Sequence, residues 1–449
     1  MTTACVFIGI ALLFLMAFKY PSISVAMYLT AGFIKTILMI YVPVFRSIDY
    51  TVLCASLLLI IMAFYFFKNR GELFALLNMP VMFFFLLCIF LLFGAAYTSA
   101  PAYGWAKSTK VATLGSIALL SPLFMILNFK KLNEFIVILF VAGLIIAVGT
   151  VIAPHAAFYR TSAELRGSFL EADPLESASK IGIALIIAFY YCIFNISSVK
   201  IKFILFISIP LLLLGIVLTG SRGPLFGAII CFFAVFVLAR KNLHVISVAL
   251  TFILIISAIF YIFIKLPEEQ TQRITNMFKG KYEAGQAVET RSGPFGWVIK
   301  NSLKSPVWGN GTGSFAMDYG GADERLYPHN VVLELFYENG IIGLALFLIF
   351  LWLVFKRWLM SRQYALQRNL PQIARIVDLF GLLAFFNFMQ SMKSSDINGN
   401  RFFFFTCGLI LATYLCLKKS HNYDVVPEHI EFHKNADSCE ISGNPYSNE

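Results

Sequence analysis

A short polar stretch carries side chains suited to proton transfer and hydrogen bonding just before an apolar helix: RLYPHNVVLELFYENGIIG, Arg325–Gly343. His329 is a candidate general base, because the unperturbed pKa of histidine lies near neutral pH. Asn330 fits the cap of a short helix on which Glu334 and Glu338 share one face, and the following ENG predicts an elbow before the apolar span. The two glutamates either serve a polar site or pair with a nearby Lys or Arg.

Arginines suited to phosphate binding occur in two other segments. Arg222 lies in the turn TGSRGP, where Gly220 and Gly223 allow positive φ, so that the guanidinium can be presented beside backbone N–H groups. Arg291 opens a predicted amphipathic helix, GPFGWVIKNSLKS, which also carries Lys304. Guanidinium groups match phosphate oxygens in pairs, so two arginines suit a pyrophosphate. The alternative is that these cations only contact lipid headgroups at a membrane surface.

The elements that must position these residues are membrane helices. Of 449 residues, 59% are hydrophobic and 13% are charged, and the mean hydropathy is +0.79. Apolar runs of roughly 15–25 residues recur without the alternation of barrel strands. We therefore predict an all-α polytopic membrane protein with about 12–13 transmembrane helices and one large external loop carrying short helices. The first apolar stretch lacks the features of a cleaved signal peptide, which favours a retained helix.

Composition also bears on cofactors and partners. None of the eight cysteines belongs to a CxxC or Cys/His cluster, so neither a disulfide framework nor a zinc site is indicated. The net charge of +11 does not favour nucleic acid as a partner, because many basic residues flank helices on one side. The sequence contains no Walker motif, Rossmann fingerprint or HExxH, so nucleotide or zinc chemistry has no support.

The order of apolar runs predicts the topology. Lys and Arg in the short loops indicate which side faces the cytoplasm, and place five segments on the opposite, exterior side: 98–110, 154–180, the TGSRGP turn, 266–330 and 393–401. The expected spans, with an uncertain number at the N-terminus, are 4–18, 22–43, 51–67, 79–97, 111–129, 134–153, 181–197, 203–219, 225–239, 246–265, 341–355, 376–392 and 402–417.

Five units follow from this topology. Residues 1–153 are predicted as N-terminal transmembrane helices, and 154–265 as helices with an exterior loop and the SRG turn. Residues 266–340 form a catalytic loop that starts with a short helix, PEEQTQRITNMF. The C-terminal helices occupy 341–419, and the polar tail 420–449 is predicted to be disordered in the cytoplasm.

Three blocks in this order, TGSRGP, ETRSGPFGW…SPVWGNGTGSF and YPHNVVLELFYENGIIG, resemble the O-antigen ligase and polymerase superfamily over about residues 160–420. The resemblance implies a GT-C-type glycosyltransferase of the bacterial inner membrane. Such enzymes pass a glycan from undecaprenyl pyrophosphate to an acceptor sugar, in lipid A–core or on a second lipid-linked glycan, at the periplasmic face. Arg222 and Arg291 would then hold the pyrophosphate, and His329 would act as base or orient the acceptor hydroxyl. Arg166 matches another basic position more loosely.

The residues agree with this chemistry. A donor with pyrophosphate as leaving group is already activated, so no nucleotide or redox cofactor is needed, and no DxD-like carboxylate pair suggests a metal. We expect metal-independent transfer that inverts the anomeric carbon in a single displacement. Stacking on sugars is the predicted role of Trp297, Trp308 and Tyr327, although aromatic residues are also common at membrane interfaces. The further predicted substrate contacts are Lys304, Asn330, Glu334 and Glu338.

Other functions stay open at this point. Ligases often have a further histidine near the PHN position, whereas Tyr327 and Pro328 precede His329 here, so ligase and polymerase both remain. Protein O-glycosylation is a third possibility, disfavoured by the short predicted cytoplasmic tail. A polysaccharide transporter would place ionisable residues inside the spans, whereas the predicted spans hold few charges, Lys35 and Asp378 being exceptions.

Overall fold

The computed structural model describes residues 2–68, 78–126, 129–152, 154–158, 165–169, 173–194, 199–239, 284–393 and 395–422. The predicted span 246–265, the predicted helix PEEQTQRITNMF and all but the start of the predicted tail lie outside these ranges. In the described residues the helices are α1 (Thr2–Lys19), α2 (Pro21–Leu29), α3 (Ala31–Tyr41), α4 (Tyr50–Lys68), α5 (Met79–Ala95), α6 (Pro101–Lys110), α7 (Ser116–Met125), α8 (Phe129–Ile152), α9 (Pro174–Phe194), α10 (Val199–Leu218), α11 (Arg222–Ala239), α12 (Ala284–Ser302), α13 (Ser314–Gly320), α14 (Val331–Gln367), α15 (Pro371–Ser391) and α16 (Arg401–Asn422).

The fold confirms an all-α polytopic membrane protein. In the described ranges eight helices are long and apolar enough to cross a membrane, or nine if the pair α2 and α3, bent by 65°, is one span. Three shorter apolar helices, Ile8–Lys19, Met79–Ala95 and Arg222–Leu238, complete the set. Each predicted span outside 246–265 overlaps one of these apolar helices or, for 22–43, the bent pair α2 and α3. One element was not predicted: Pro154–Phe158 (β1) and Leu165–Phe169 (β2) form a two-stranded antiparallel sheet within the predicted loop 154–180.

The span predicted at 111–129 instead begins ten residues earlier. Helix α6 continues through a π-helical turn, Val111–Gly115, into α7, and the whole segment Pro101–Met125 qualifies as one candidate span. The sequence of α6, PAYGWAKSTK, is too polar for hydropathy to detect. Its polar side chains are nevertheless buried at Lys107 and Ser108, which explains why a helix forms where a loop was expected.

Helix α9 is the central element of the bundle. In its most apolar 18-residue stretch 78% of the residues are buried, the highest share among the candidate spans in the described ranges. The helix packs against α8, α10 and α11. Small residues let its neighbours approach closely. A Cβ on Gly143 of α8 would lie 2.6 Å from the Cβ of Ala184, and one on Gly182 would lie 2.6 Å from the ring of Phe386.

The elbow predicted at ENG is confirmed within α14. Gly340 interrupts this helix with φ 61° and ψ −163°, a conformation that favours glycine. A Cβ at this position would lie 2.3 Å from the carbonyl oxygen of Val307, so the space also requires glycine. At the start of α14 the side chain of Asn330 accepts hydrogen bonds from the backbone N–H groups of Val332 and Leu333, as predicted for a cap.

Segments predicted for one side of the membrane meet at one end of the bundle. Tyr97 donates to the carbonyl of Trp308 (2.7 Å), and the Ser99 hydroxyl donates to the carboxylate of Asp318 (2.7 Å). The side chain of Gln390, at the end of α15, contacts the carbonyl of Gly223 at the start of α11. We call this assembly of residues 96–104, 219–223, 303–330, 390–393 and 395–400 the loop end. It carries most of the candidate site.

Candidate functional site

A buried ion cluster lies beneath the first two turns of α14. The Lys107 ammonium, from α6, forms ion pairs with both Glu334 and Glu338, the latter at 2.6 Å. All three side chains are at most 1% exposed. Of the two interpretations of the glutamates, pairing with a nearby cation is therefore what the structure shows. Lys107 was not among the predicted site residues, although the sequence carried a signal: a lysine in a segment assigned to the same side as two uncompensated acids.

A second buried carboxylate fixes the loop that leads into α14. Asp396 accepts two hydrogen bonds from the Arg325 guanidinium (3.0 and 3.2 Å) and one from the Tyr103 hydroxyl (3.1 Å). Burial raises the pKa of Asp396, but the charge and hydrogen bonds of Arg325 outweigh burial and hold this pKa below its usual range. The carboxylate of Glu334 also accepts from the backbone N–H of Ile397 (3.2 Å). Arg325 and the first turn of α14 are thus both fastened to the loop before α16.

His329 occupies a strained position next to this framework. Its φ is 56°, in the left-handed region that is uncommon for residues other than glycine, and the only other such residue in the described ranges is Asn369. The imidazole is partly exposed, and its ring lies edge-on to Tyr327 with centroids 4.5 Å apart. The guanidinium of Arg325 lies 5.4 Å from the Tyr327 ring. Backbone strain of this kind clusters at functional sites.

Tyr327 stays a neutral phenol over the physiological range. Burial, reinforced by the charge of Asp396 and opposed by Arg325, raises the pKa of Tyr327 to about 12. Beside the imidazole of His329 it therefore presents an aromatic face and a protonated hydroxyl rather than a charge. This is the surface expected of a group that packs against a sugar ring.

Arg222 is the first residue of α11, and its side chain is exposed. The preceding Gly220 has φ 62°, as predicted for this turn, whereas Gly223 lies inside the helix without positive φ. The start of α11 contacts the end of α15 through Gln390 and Gly223. Arg222 thus belongs to the loop end, although it does not share the ion cluster of Glu334 and Glu338.

Of the predicted aromatic contacts, Trp297 packs within an aromatic cluster of the protein, whereas Trp308 is exposed. Trp297 on α12 lies against Phe315, Tyr319 and Tyr337, with ring centroids 5.1–5.7 Å apart. The Tyr337 hydroxyl donates to Asp318, which also accepts from Ser99, so this aromatic cluster is tied to the loop after α5.

Trp308 packs against α5, with its ring 6.0 Å from that of Phe90 and 6.1 Å from that of Phe93. Lys304 is exposed in the turn that follows α12.

Two predicted site residues have side chains outside the structural description. Arg166 lies in β2, and Arg291 lies in α12, which begins at Ala284 rather than at Arg291. In the segment after Arg291, Val298 is fully buried, but the apolar side chains of Ile299 and Leu303 are exposed, so the predicted apolar face is only partly buried. The structure therefore joins Tyr327, His329, Asn330, Glu334 and Glu338 in one region, with Arg222 elsewhere at the loop end.

Residues 203–348 match the family model described as O-antigen ligase. The match confirms the resemblance to the O-antigen ligase and polymerase superfamily. Arg222, Arg291 and His329 fall inside the matched segment, whereas Lys107 and Asp396, which hold its loops in place, fall outside it. The family supports a membrane enzyme of ligase or polymerase type that acts on lipid-linked glycans. No curated protein gave a significant sequence match to the chain.

Proposed function

We propose that this protein is an O-antigen ligase-type glycosyltransferase of the bacterial inner membrane. It would move a glycan from undecaprenyl pyrophosphate to a sugar of lipid A–core at the periplasmic face. The observation that carries the proposal is the position of His329. This residue lies in the family-matched segment, partly exposed and at positive φ, between a fastened loop and a capped helix.

Each proposed step uses a group with suitable chemistry. His329 removes the proton from the acceptor hydroxyl, whose oxygen attacks the anomeric carbon of the glycan. The bond from that carbon to the pyrophosphate oxygen breaks, and undecaprenyl pyrophosphate leaves with its electron pair. Arg222 and Arg291 stabilise the negative charge that develops on the leaving group. A single displacement inverts the anomeric carbon, and the activated donor requires no metal or cofactor.

The buried charges support this site as positioning residues. Lys107 fixes Glu334 and Glu338 and hence the first two turns of α14, while Asp396 fixes Arg325. His329 lies between these two anchors in sequence. Accurate placement of a base matters because small displacements of reacting groups lower the rate strongly.

The two charges considered for a transporter both have partners in the protein. In the described ranges, the two charges that stood out within the spans are both paired: Asp378 with Arg362 (2.9 Å) and Lys35 with Asp49 (2.5 Å). Neither pair belongs to the loop end. Both ion pairs therefore have a structural explanation that does not involve a substrate path.

The experiment is complementation of a deletion strain with wild type, His329→Ala, His329→Gly and Arg222→Ala, followed by profiling of lipopolysaccharide and lipid-linked glycans. Glycine tolerates positive φ, so His329→Gly removes the imidazole without backbone strain. We expect all three variants to lose the ladder above core while polymer accumulates on undecaprenyl pyrophosphate. Loss of a general base costs about 10²–10⁴-fold in rate, and loss of one group that stabilises the developing charge costs about 10²–10³-fold.

Other outcomes assign the function differently. Core that carries a single repeat, with no long polymer in either pool, would identify the polymerase, the alternative that the residues before His329 left open. A full ladder in both His329 variants, at wild-type protein levels, would refute the proposed base. Unchanged glycan pools on deletion would refute transfer in this pathway.

A further inference from the structure

The start of α11 leaves a buried hydroxyl without a partner. Ser221 immediately precedes this 18-residue helix, where a serine normally accepts a hydrogen bond from the second or third helical N–H group. The third position is Pro224, which has no N–H. The Ser221 Oγ is buried and has no hydrogen-bond partner among the described residues, and the whole residue is 8% exposed. The hydroxyl is therefore available to a ligand.

A second unpartnered atom lies at the same helix end. Gln390 is 8% exposed, and its Nε2 lies 3.5 Å from the carbonyl of Gly223. Its Oε1 is buried and likewise unpartnered within the described ranges. The approach is close because Gly227 lacks a side chain: a Cβ there would lie 2.8 Å from Gln390 Nε2. Buried polar atoms are almost always hydrogen-bonded, so two unpartnered buried atoms close together at one helix start are suited to contact a polar ligand.

A lysine adds charge to this end. The Lys393 ammonium lies 4.1 Å from the ring centroid of Phe226. Phe226 follows Arg222 by four residues, and residues so spaced lie on the same face of a helix. Lys393 is thus held against the helix face that begins with Arg222. The positive end of the helix dipole and its unbonded N–H groups add to the attraction for an anion.

We infer that Lys393 and Ser221 form the second half of a pyrophosphate site whose first half is Arg222. The ligand is the pyrophosphate of the lipid-linked glycan donor, so this inference rests on the proposed function. Lys393 contributes charge and the Ser221 hydroxyl donates to a phosphate oxygen, while Gln390 Oε1, an acceptor, suits a hydroxyl of the first sugar. The family resemblance assigned no role to residues 390–393.

The test is steady-state transfer by protein reconstituted in phosphatidylcholine nanodiscs with an undecaprenyl-pyrophosphate-linked glycan. Lys393→Gln should raise KM for the donor about tenfold, the loss expected for one charge-assisted hydrogen bond, with a much smaller change in kcat. Lys393→Arg should restore KM, and Ser221→Ala should raise it in the same direction. The matched control is Lys356→Gln, an exposed lysine in the C-terminal part of α14, which should leave KM unchanged.

A direct binding measurement distinguishes failure of this inference from failure of the proposed function. Lys393→Gln should weaken binding of undecaprenyl pyrophosphate more than binding of undecaprenyl phosphate, while thermal stability stays near wild type. If Arg222→Gln raises KM and Lys393→Gln does not, the inference is wrong although the proposed function stands. If wild type neither transfers glycan nor binds the pyrophosphate lipid, both fail. An effect of Lys393→Gln that appears only with phosphatidylglycerol in the nanodiscs would show a phospholipid contact and overturn the inference.

Discussion

The buried ion cluster predicts that substitutions of its three charged residues will lower the free energy of unfolding by unequal amounts. With all groups ionised, Lys107, Glu334 and Glu338 carry one net negative charge in a site that is at most 1% exposed. Lys107→Met keeps an unbranched side chain but leaves two carboxylates buried without a counter-charge. Glu338→Gln instead leaves the ion pair between Lys107 and Glu334 intact and removes the excess negative charge.

The magnitudes follow from burial. Removing one partner of a buried ion pair costs about 3–5 kcal/mol, because the remaining charge stays desolvated. We expect a loss in this range from Lys107→Met. Glu338→Gln should cost at most about 2 kcal/mol, since one charged hydrogen bond is lost but an uncompensated charge disappears with it. The triple variant Lys107→Met, Glu334→Gln, Glu338→Gln should recover most of the loss, because no buried charge remains.

The assay is reversible unfolding of purified protein in mixed micelles titrated with sodium dodecyl sulfate, followed by tryptophan fluorescence. The informative quantity is the loss in free energy of unfolding of each variant, Lys107→Met, Glu338→Gln and the triple variant, compared with the other two. A triple variant no more stable than Lys107→Met would show that packing, not charge, sets the cost. A Glu338→Gln variant as unstable as Lys107→Met would contradict the assignment of Lys107 as the shared counter-charge.

Two further predictions concern the elbow and the loop anchor. Gly340→Ala should lower the free energy of unfolding by at least about 2 kcal/mol more than Gly321→Ala. Both residues have positive φ, but only a Cβ at Gly340 would meet a neighbour, the carbonyl oxygen of Val307 at 2.3 Å. Equal losses in the unfolding assay would refute the steric argument. Because the pKa of Asp396 is held below its usual range by Arg325, its stabilising effect is fully present above the unfolded pKa and is lost as pH falls through the lowered folded value. Unfolding measured from pH 7 to about 3 should therefore show a steeper acid loss in wild type than in Asp396→Asn, and parallel curves would contradict the pairing.

Most of the bundle was predictable from local signals. Apolar runs predict the spans because each is long enough to cross the hydrocarbon layer, and glycine at 340 predicts the elbow because few other residues adopt its backbone angles. Asn330 acts through its own neighbours and was predicted as a cap. These features depend only on residues close in the sequence.

The parts that were missed depend on distant partners. Helix α6 has low hydropathy, and it is the burial of Lys107 against Glu334 and Glu338 that accounts for its polarity. The sheet of β1 and β2 depends on pairing between two segments that are not adjacent in the sequence. The placement of Gln390 beside α11 depends on Gly227, 163 positions earlier, which the sequence alone does not connect.

The long separation within the ion cluster also has a consequence for synthesis. Lys107 and Glu338 are 231 residues apart, so the lysine is made long before either of its partners. At a translation rate of about 5–20 residues per second, it waits about 10–50 s. During that time the ammonium has to be solvated by water or lipid headgroups, which a long side chain near a helix end can reach. Packing of α14 beside α6 would then exclude this solvent. The ion cluster therefore forms only when the C-terminal half has packed against the N-terminal half.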